Sequence, residues 1–148
     1  MINEKVRIKK LDEMAIVPTY GSPFSAGADL YALSDEDIVL VPGETKFVHT
    51  GISMEIPQGY VGLVYARSGI ACKRGIAPAN KVGVIDSDYR GEIMVALHNH
   101  SNNEQKIESG ERIAQIVIAP YVTAEFEECD ELSDTSRGAG GFGSTGIK

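Results

Sequence analysis

The sequence predicts an all-β fold, a sandwich, barrel or jelly roll, followed by a flexible glycine-rich C-terminal tail. Turn residues recur at short intervals, among them Pro18, Gly21-Ser-Pro23, Pro42-Gly43, Pro57-Gln-Gly59, Gly83, Gly91 and Ser101-Asn-Asn103. Between them lie short stretches that are wholly apolar or alternate with period two, the pattern of many short strands. No window carries a convincing amphipathic helix, and the strand–helix alternation of a doubly wound sheet is absent.

In chain order, Ile38-Val-Leu-Val41 is a short apolar strand. Ile52, Met54 and Ile56 alternate with polar neighbours, and Val61, Leu63 and Tyr65 alternate in the next stretch. Ser68 to Arg74 is the best candidate for a short turn of helix. Ile93, Val95 and Leu97 alternate again, and Ile113 to Ile118 is a β-branched run. After Glu131 the composition changes. Ser133 to Gly146 is rich in Gly, Ser and Thr and cannot bury enough surface to order itself when alone. The expected division is a β domain over 1–132 and a tail over 133–148, whose one arginine and one aromatic could close over a ligand.

A chain of 148 residues suits one domain and can bury a core without disulfides or structural metals. The formal charge of −7 argues against a nucleic-acid surface, and no apolar run is long enough to span a bilayer. A small phosphorylated ligand stays open, because local cations could hold it and it could bring its own divalent metal. The N-terminal stretch carries charges where an export signal needs apolar residues, and Cys72 and Cys129 sit in no CxxC. A cytoplasmic protein with free thiols is expected.

Five segments could carry chemistry. Gly83-Val-Ile-Asp86-Ser-Asp88-Tyr89-Arg90-Gly91 sets two carboxylates, a Tyr and an Arg in a turn between apolar strands. A carboxylate there could act as general base on a water, yet Asp and Gly are equally ordinary hairpin residues. Ala66-Arg67-Ser68-Gly69-Ile70 follows a strand. There a guanidinium, a hydroxyl and backbone N–H groups can meet one anion, or Ser68 can simply cap a turn. Ala26-Gly-Ala-Asp29-Leu-Tyr-Ala32 puts a carboxylate among small residues, which suits a tight site or a strand start. In Gly110-Glu-Arg-Ile-Ala-Gln115 a polar residue interrupts an apolar strand and needs a partner. The tail, Arg137-Gly-Ala-Gly-Gly-Phe142-Gly143-Ser-Thr-Gly146, offers a guanidinium, N–H donors and a ring that can stack on a base, or is a plain low-complexity tail. Residues 138–143 match G-x-G-x-x-G in letters, but the strand and helix that a dinucleotide site needs around it do not fit, and no Lys follows Gly143 as a Walker A would require. His98 and His100 would share a strand face and could bind metal, although surface roles suit them better. Adjacent residues do not match the nuclease H-N-H, whose members are spread over a larger unit.

Taken together and in this order, AGADLYA, ARSGIA, GVIDSDYRG, GERIAQIVI and RGAGGFGSTG resemble the five motifs of the trimeric dUTP pyrophosphatase (dUTPase) family, spread from residue 26 to residue 146. The resemblance implies a β jelly-roll homotrimer with active sites at subunit interfaces. It also implies hydrolysis of dUTP to dUMP and pyrophosphate with Mg²⁺ on the triphosphate, keeping dUTP low and supplying dUMP for thymidylate synthesis. By position, Asp86 matches the carboxylate that activates the attacking water. Tyr89 matches the ring that packs on the deoxyribose and leaves no room for a 2′-hydroxyl. Asn80 and the backbone around Gly83, Val84, Ile85 and Met94 match the hairpin that reads uracil. Arg67, Ser68 and Gly69 match phosphate contacts, Gln115 a polar group near the α-phosphate, and Arg137 the γ-phosphate arginine. Phe142, with Gly143 beside it, matches the ring that covers uracil. Asp29 matches a carboxylate of the phosphate and metal region, with Mg²⁺ held through phosphates and waters rather than by direct protein ligands. Two rival expectations are a dCTP deaminase-related enzyme, which would need a catalytic Glu, and a non-catalytic nucleotide-binding β module.

Overall fold

The computed structural model describes residues 4–142. Its strands are β1 (Arg7–Lys10), β2 (Thr19–Tyr20), β3 (Ala28–Tyr31), β4 (Ile38–Leu40), β5 (Thr45–Glu55), β6 (Tyr60–Tyr65), β7 (Ile76–Pro78), β8 (Gly83–Ile85), β9 (Glu92–Asn99), β10 (Gln105–Ile107) and β11 (Arg112–Pro120). One short helix, α1 (Ser68–Arg74), interrupts them at the position that the sequence predicts. The strands pair antiparallel in the orders β1-β5-β9-β7, β2-β3-β11-β6-β8 and β10-β4. Ile52, Ile93 and Val95 of the first sheet share one core with Leu30, Val64 and Ile116 of the second, which makes the fold a β-sandwich. No helix among the described residues is long and apolar enough to cross a membrane. Cys72 and Cys129 are free and exposed.

Local chemistry explains the helix ends. Gly75 closes α1 with φ +67°, and its N–H reaches back to the carbonyls of Ile70 and Ala71. A Cβ there would also press on the backbone of Ser101. At the other end Arg67 is the cap residue and no side chain caps the first turn. Ser68 is therefore not the N-cap that one reading of the sequence allows. Between β9 and β10, fully buried Asn99 donates to the carbonyls of Leu40 and Asn103 and accepts from the N–H and hydroxyl of Ser101. The middle letter of H-N-H is thus a loop clasp.

One expectation, a hairpin at GVIDSDYRG, changes, and the facing of β6 is now assigned. In β6 the inward residues are Gly62 and Val64, while Val61, Leu63 and Tyr65 lie on the outer side, half-buried. Gly62 faces the core, where Ile56 and Ile116 fill the space that a side chain would need, so the position suits glycine. GVIDSDYRG is not a two-stranded hairpin: β8 pairs with β6 and β9 with β5 and β7, so the turn carries the chain from one sheet to the other. The last strand ends at Pro120, and from there to Ala139 the chain runs exposed.

Candidate active site

Three of the five segments meet at one cavity of about 420 Å³. The strand order β3-β11-β6 lines Asp29, Gln115 and Tyr65 up across the sheet, since Gln115 pairs with both of the others. Asp29 is buried, and its two oxygens accept from Arg67 Nε at 2.6 Å and from an Arg112 guanidinium nitrogen at 3.2 Å. Arg67 also donates to the Arg112 carbonyl at 3.3 Å. Two guanidiniums on one carboxylate leave a net positive charge at the cavity. Beside them the first-turn N–H groups of α1 lack intrahelical acceptors, and the space where a Gly69 side chain would stand is open. Gln115 donates from Nε2 to the Ala66 carbonyl at 2.9 Å, and its amide lies where Gly27 would carry a Cβ. The cluster can hold a polyanion.

The segment GVIDSDYRG lies elsewhere. Asp86 follows β8, is exposed, and lines a second cavity of about 660 Å³ with Pro57, Gln58, Ser87, Asp88 and Tyr121. Its carbonyl accepts the Tyr89 N–H at 3.2 Å, and Arg90 clasps the turn by donating to the carbonyls of Ser87 and Tyr89. The Tyr89 hydroxyl donates to the Glu92 carbonyl at 2.9 Å. Its ring lies so close over Gly91 that any side chain there would collide with it. Because β8 runs antiparallel to β6, with Gly83 opposite Val64 and Ile85 opposite Gly62, Asp86 emerges at the end of β6 remote from Arg67. At about 3.3 Å per residue the two stand roughly 15–20 Å apart along the strand.

Gly83, Val84 and Ile85 form β8 and Asn80 precedes it, whereas Met94 lies on β9 in the other sheet, exposed and paired with His49; no strand pairing brings it to β8. Strand β8, on which the reading of a uracil hairpin rests, is an edge strand, so one row of its N–H and C=O groups has no strand partner. Gly83 is buried against Val64 and the Asn80 amide, whereas Val84 is 62% exposed. Lys81 has φ +66°, and the Val82 N–H bonds the Asn80 carbonyl at 2.7 Å across it, a three-residue turn that is strained for a side chain. In the tail, Arg137 donates to the Gly140 carbonyl at 2.8 Å, and Phe142 is fully exposed with φ +49°. Gly143 lies outside the described residues. His98 and His100 stack edge to face with ring centroids 4.4 Å apart, and His98 Nδ1 bonds the Thr45 hydroxyl at 2.8 Å. Burial first, then the charges of His98 and Lys81, push the His100 imidazole below its ordinary value. No three His, Cys, Asp or Glu side chains among the described residues converge as a metal cage.

Sequence reasoning missed Arg112, the second guanidinium on Asp29. A cation at the head of an otherwise apolar strand was the available signal. It also missed Gly27 and Gly91, whose smallness serves Gln115 and Tyr89 rather than their own backbone.

The sequence model of the dUTPase family matches residues 13–146. A protein of Nautilia profundicola named deoxyuridine 5'-triphosphate nucleotidohydrolase is 54% identical, over 96% of this chain and 99% of its own length. A protein of the same name from Treponema denticola is 53% identical, over 93% of this chain and 96% of its own length. Among solved structures, the dUTPase of Staphylococcus bacteriophage 80alpha with dUPNHPP superposes with a TM-score of 0.89 at 31% identity, covering 98% of this chain and all of that one. A matched family model over nearly the whole length, and relatives above half identity, leave one conclusion: the chain belongs to the dUTPase family.

Proposed function

We propose that this chain hydrolyses dUTP to dUMP and pyrophosphate, as a homotrimer in which each site takes Asp86 from one copy and Arg67 from another. The observation that carries the assembly is the register of β8 on β6, which separates base and phosphate cluster by most of a strand. A single copy cannot bring both to one α-phosphate. The outer side of the β2-to-β8 sheet supports the same reading. Val61, Leu63, Val84, Val117 and Ala119 form an apolar surface there, continuous with the cavity that holds Arg67.

Attack at phosphorus needs positioning and charge neutralisation more than a covalent nucleophile. Asp86 accepts the proton of the attacking water. Arg67, Arg112 and the Ser68–Gly69 amides gather phosphate oxygens, Gln115 lies near the α-phosphate, and Arg137 reaches the γ-phosphate. Mg²⁺ suits a site of this kind when carried on the triphosphate. The oxygens of Asp29 already face two guanidiniums, so phosphate oxygens and waters would hold the metal near it. Bound so, it offsets the charge of the triphosphate. The unpaired edge of β8, with Asn80 and Met94, reads uracil, where cytosine would leave buried groups unmatched. Tyr89 packs on the deoxyribose, and Phe142 and Gly143 close over the base. The cytoplasm is the proposed compartment, a reading that the free thiols support.

The test is turnover of dUTP, dCTP, dTTP and UTP with Mg²⁺, read as pyrophosphate release, with ammonia release from dCTP measured alongside. dUTP should be cleaved far faster than the other three; comparable rates, or ammonia from dCTP, sink the assignment. D86N should lose at least about a hundredfold in kcat while still binding dUTP.

A further inference from the structure

Glu92, the first residue of β9, is held by more partners than a strand start needs. The β5–β9 ladder breaks beside it: His49 pairs with Met94 and Ser53 with Glu92, so Thr50, Gly51 and Ile52 stand opposite Ile93 alone. The Glu92 carboxylate fills this bulge. One oxygen accepts the Gly51 N–H at 2.8 Å and the other bonds His49 Nδ1 at 2.9 Å. Gly51 has φ +67°, and a Cβ there would collide with Leu33 and Ala15, while its carbonyl accepts the Leu11 N–H at 2.7 Å. The Thr50 hydroxyl donates to the Ile93 carbonyl at 2.5 Å. Burial alone would push the Glu92 carboxyl up, but the hydrogen bonds from His49, Gly51 and Thr50, with the His49 charge, bring it below the usual carboxylate range. The same residue's carbonyl accepts the Tyr89 hydroxyl at 2.9 Å.

We propose that Glu92 is a positioning residue for sugar selection. Its carboxylate, anchored by His49 and Gly51, fixes the carbonyl to which Tyr89 is tethered, and so holds the ring where a 2′-hydroxyl would have to stand. Gly91 gives the ring its place, and Glu92 keeps it there. The inference rests on reading Tyr89 as the sugar contact, which the experiment tests separately.

The measurement is kcat/KM for dUTP and for UTP on the assembled protein, for the parent and for E92A, E92Q, Y89F, Y89A and the E92A/Y89F double variant. Loss of one tether should lower the dUTP-over-UTP ratio about fivefold in E92A and in Y89F. The double variant should lose no more than either single one, because both act through one contact. E92Q keeps an acceptor for Gly51 and should recover most of the ratio. A lowered ratio in Y89F with an unchanged one in E92A overturns the role of Glu92 and leaves that of Tyr89 intact. An unchanged ratio in Y89A removes Tyr89 as the sugar contact, and the proposal with it. Equal losses for both nucleotides in E92A mark a merely structural residue and also overturn it. Should E92A fail to fold, H49A replaces it, since His49 is largely exposed. The ratio should then fall by a smaller factor, and no fall overturns the proposal.

Discussion

Gly27 and Gly91 are small on behalf of other residues. Neither has the left-handed backbone that usually demands glycine. At Gly27 the Gln115 amide occupies the missing side chain's volume, and at Gly91 the Tyr89 ring does. An alanine at 27 therefore moves a group proposed to sit near the α-phosphate while leaving the core untouched. Gly27→Ala should cost about tenfold to a hundredfold in kcat/KM for dUTP, with a melting temperature within a few degrees of the parent. Steady-state kinetics beside a thermal melt checks it, and parent-like kinetics would remove Gln115 from the reaction. Asp29 teaches the same lesson from the opposite side. Its sequence context allows a tight site or a plain strand start, and the structure gives it two arginines. A buried carboxylate stripped of such partners costs about 3–5 kcal/mol, so Asp29 and its guanidiniums stand or fall together.

At the scale of elements, the tail and the body make separable statements. Arg137 bonds only within its own segment among the described residues, and Phe142 is wholly exposed. Deleting the chain from Arg137 onward should leave unfolding unchanged and lower dUTP turnover at least about a hundredfold. Circular dichroism and pyrophosphate release read the two halves of that statement, and full turnover in the truncated protein would remove the tail from the site. The longer strands were legible because turn residues bracket short apolar or alternating runs, as at Ile38 and around Ile93 to Leu97, whereas short β1, β2, β7 and β10 were not. Helix α1 was readable only as the best candidate for a short turn of helix, with the glycine that ends it at 75. The facing of β6 was not legible. Val61, Leu63 and Tyr65 alternate as a core face would, but alternation cannot say which side is inner when both sides are apolar. Nor could local pattern show that the strands flanking Asp86 join different sheets, because pairing partners are chosen by contacts far apart in sequence. Arg112 stayed hidden for the same reason: its carboxylate lies on β3, distant along the chain and adjacent only after folding.

On the scale of the whole molecule, the proposed reading has further copies completing each site. In addition to the apolar outer side of β6, β8 and β11, the C-terminal segment exposes Tyr121, Val122, Phe126 and Leu132. Water is a poor permanent neighbour for that much hydrocarbon. If each site borrows its two ends from different copies, D86N and R67Q proteins should each be nearly inactive alone. Unfolded together and refolded, they should regain about a quarter or less of parental turnover; pyrophosphate release measures it, and no recovery would refute sharing between copies. In R67Q, Arg112 still meets Asp29, so loss of the fold is not the expected cause of inactivity. The same separation has a genetic side. Alleles damaged at one end of β6 would be recessive and would complement each other across the strand. An allele damaged at both ends would spoil two sites as one copy of a trimer and all three as two copies, leaving about a quarter of the sites intact in an even mixture, against about half for a lesion at one end. On the proposed sharing, the length of a single β-strand would decide which lesions in this gene complement one another.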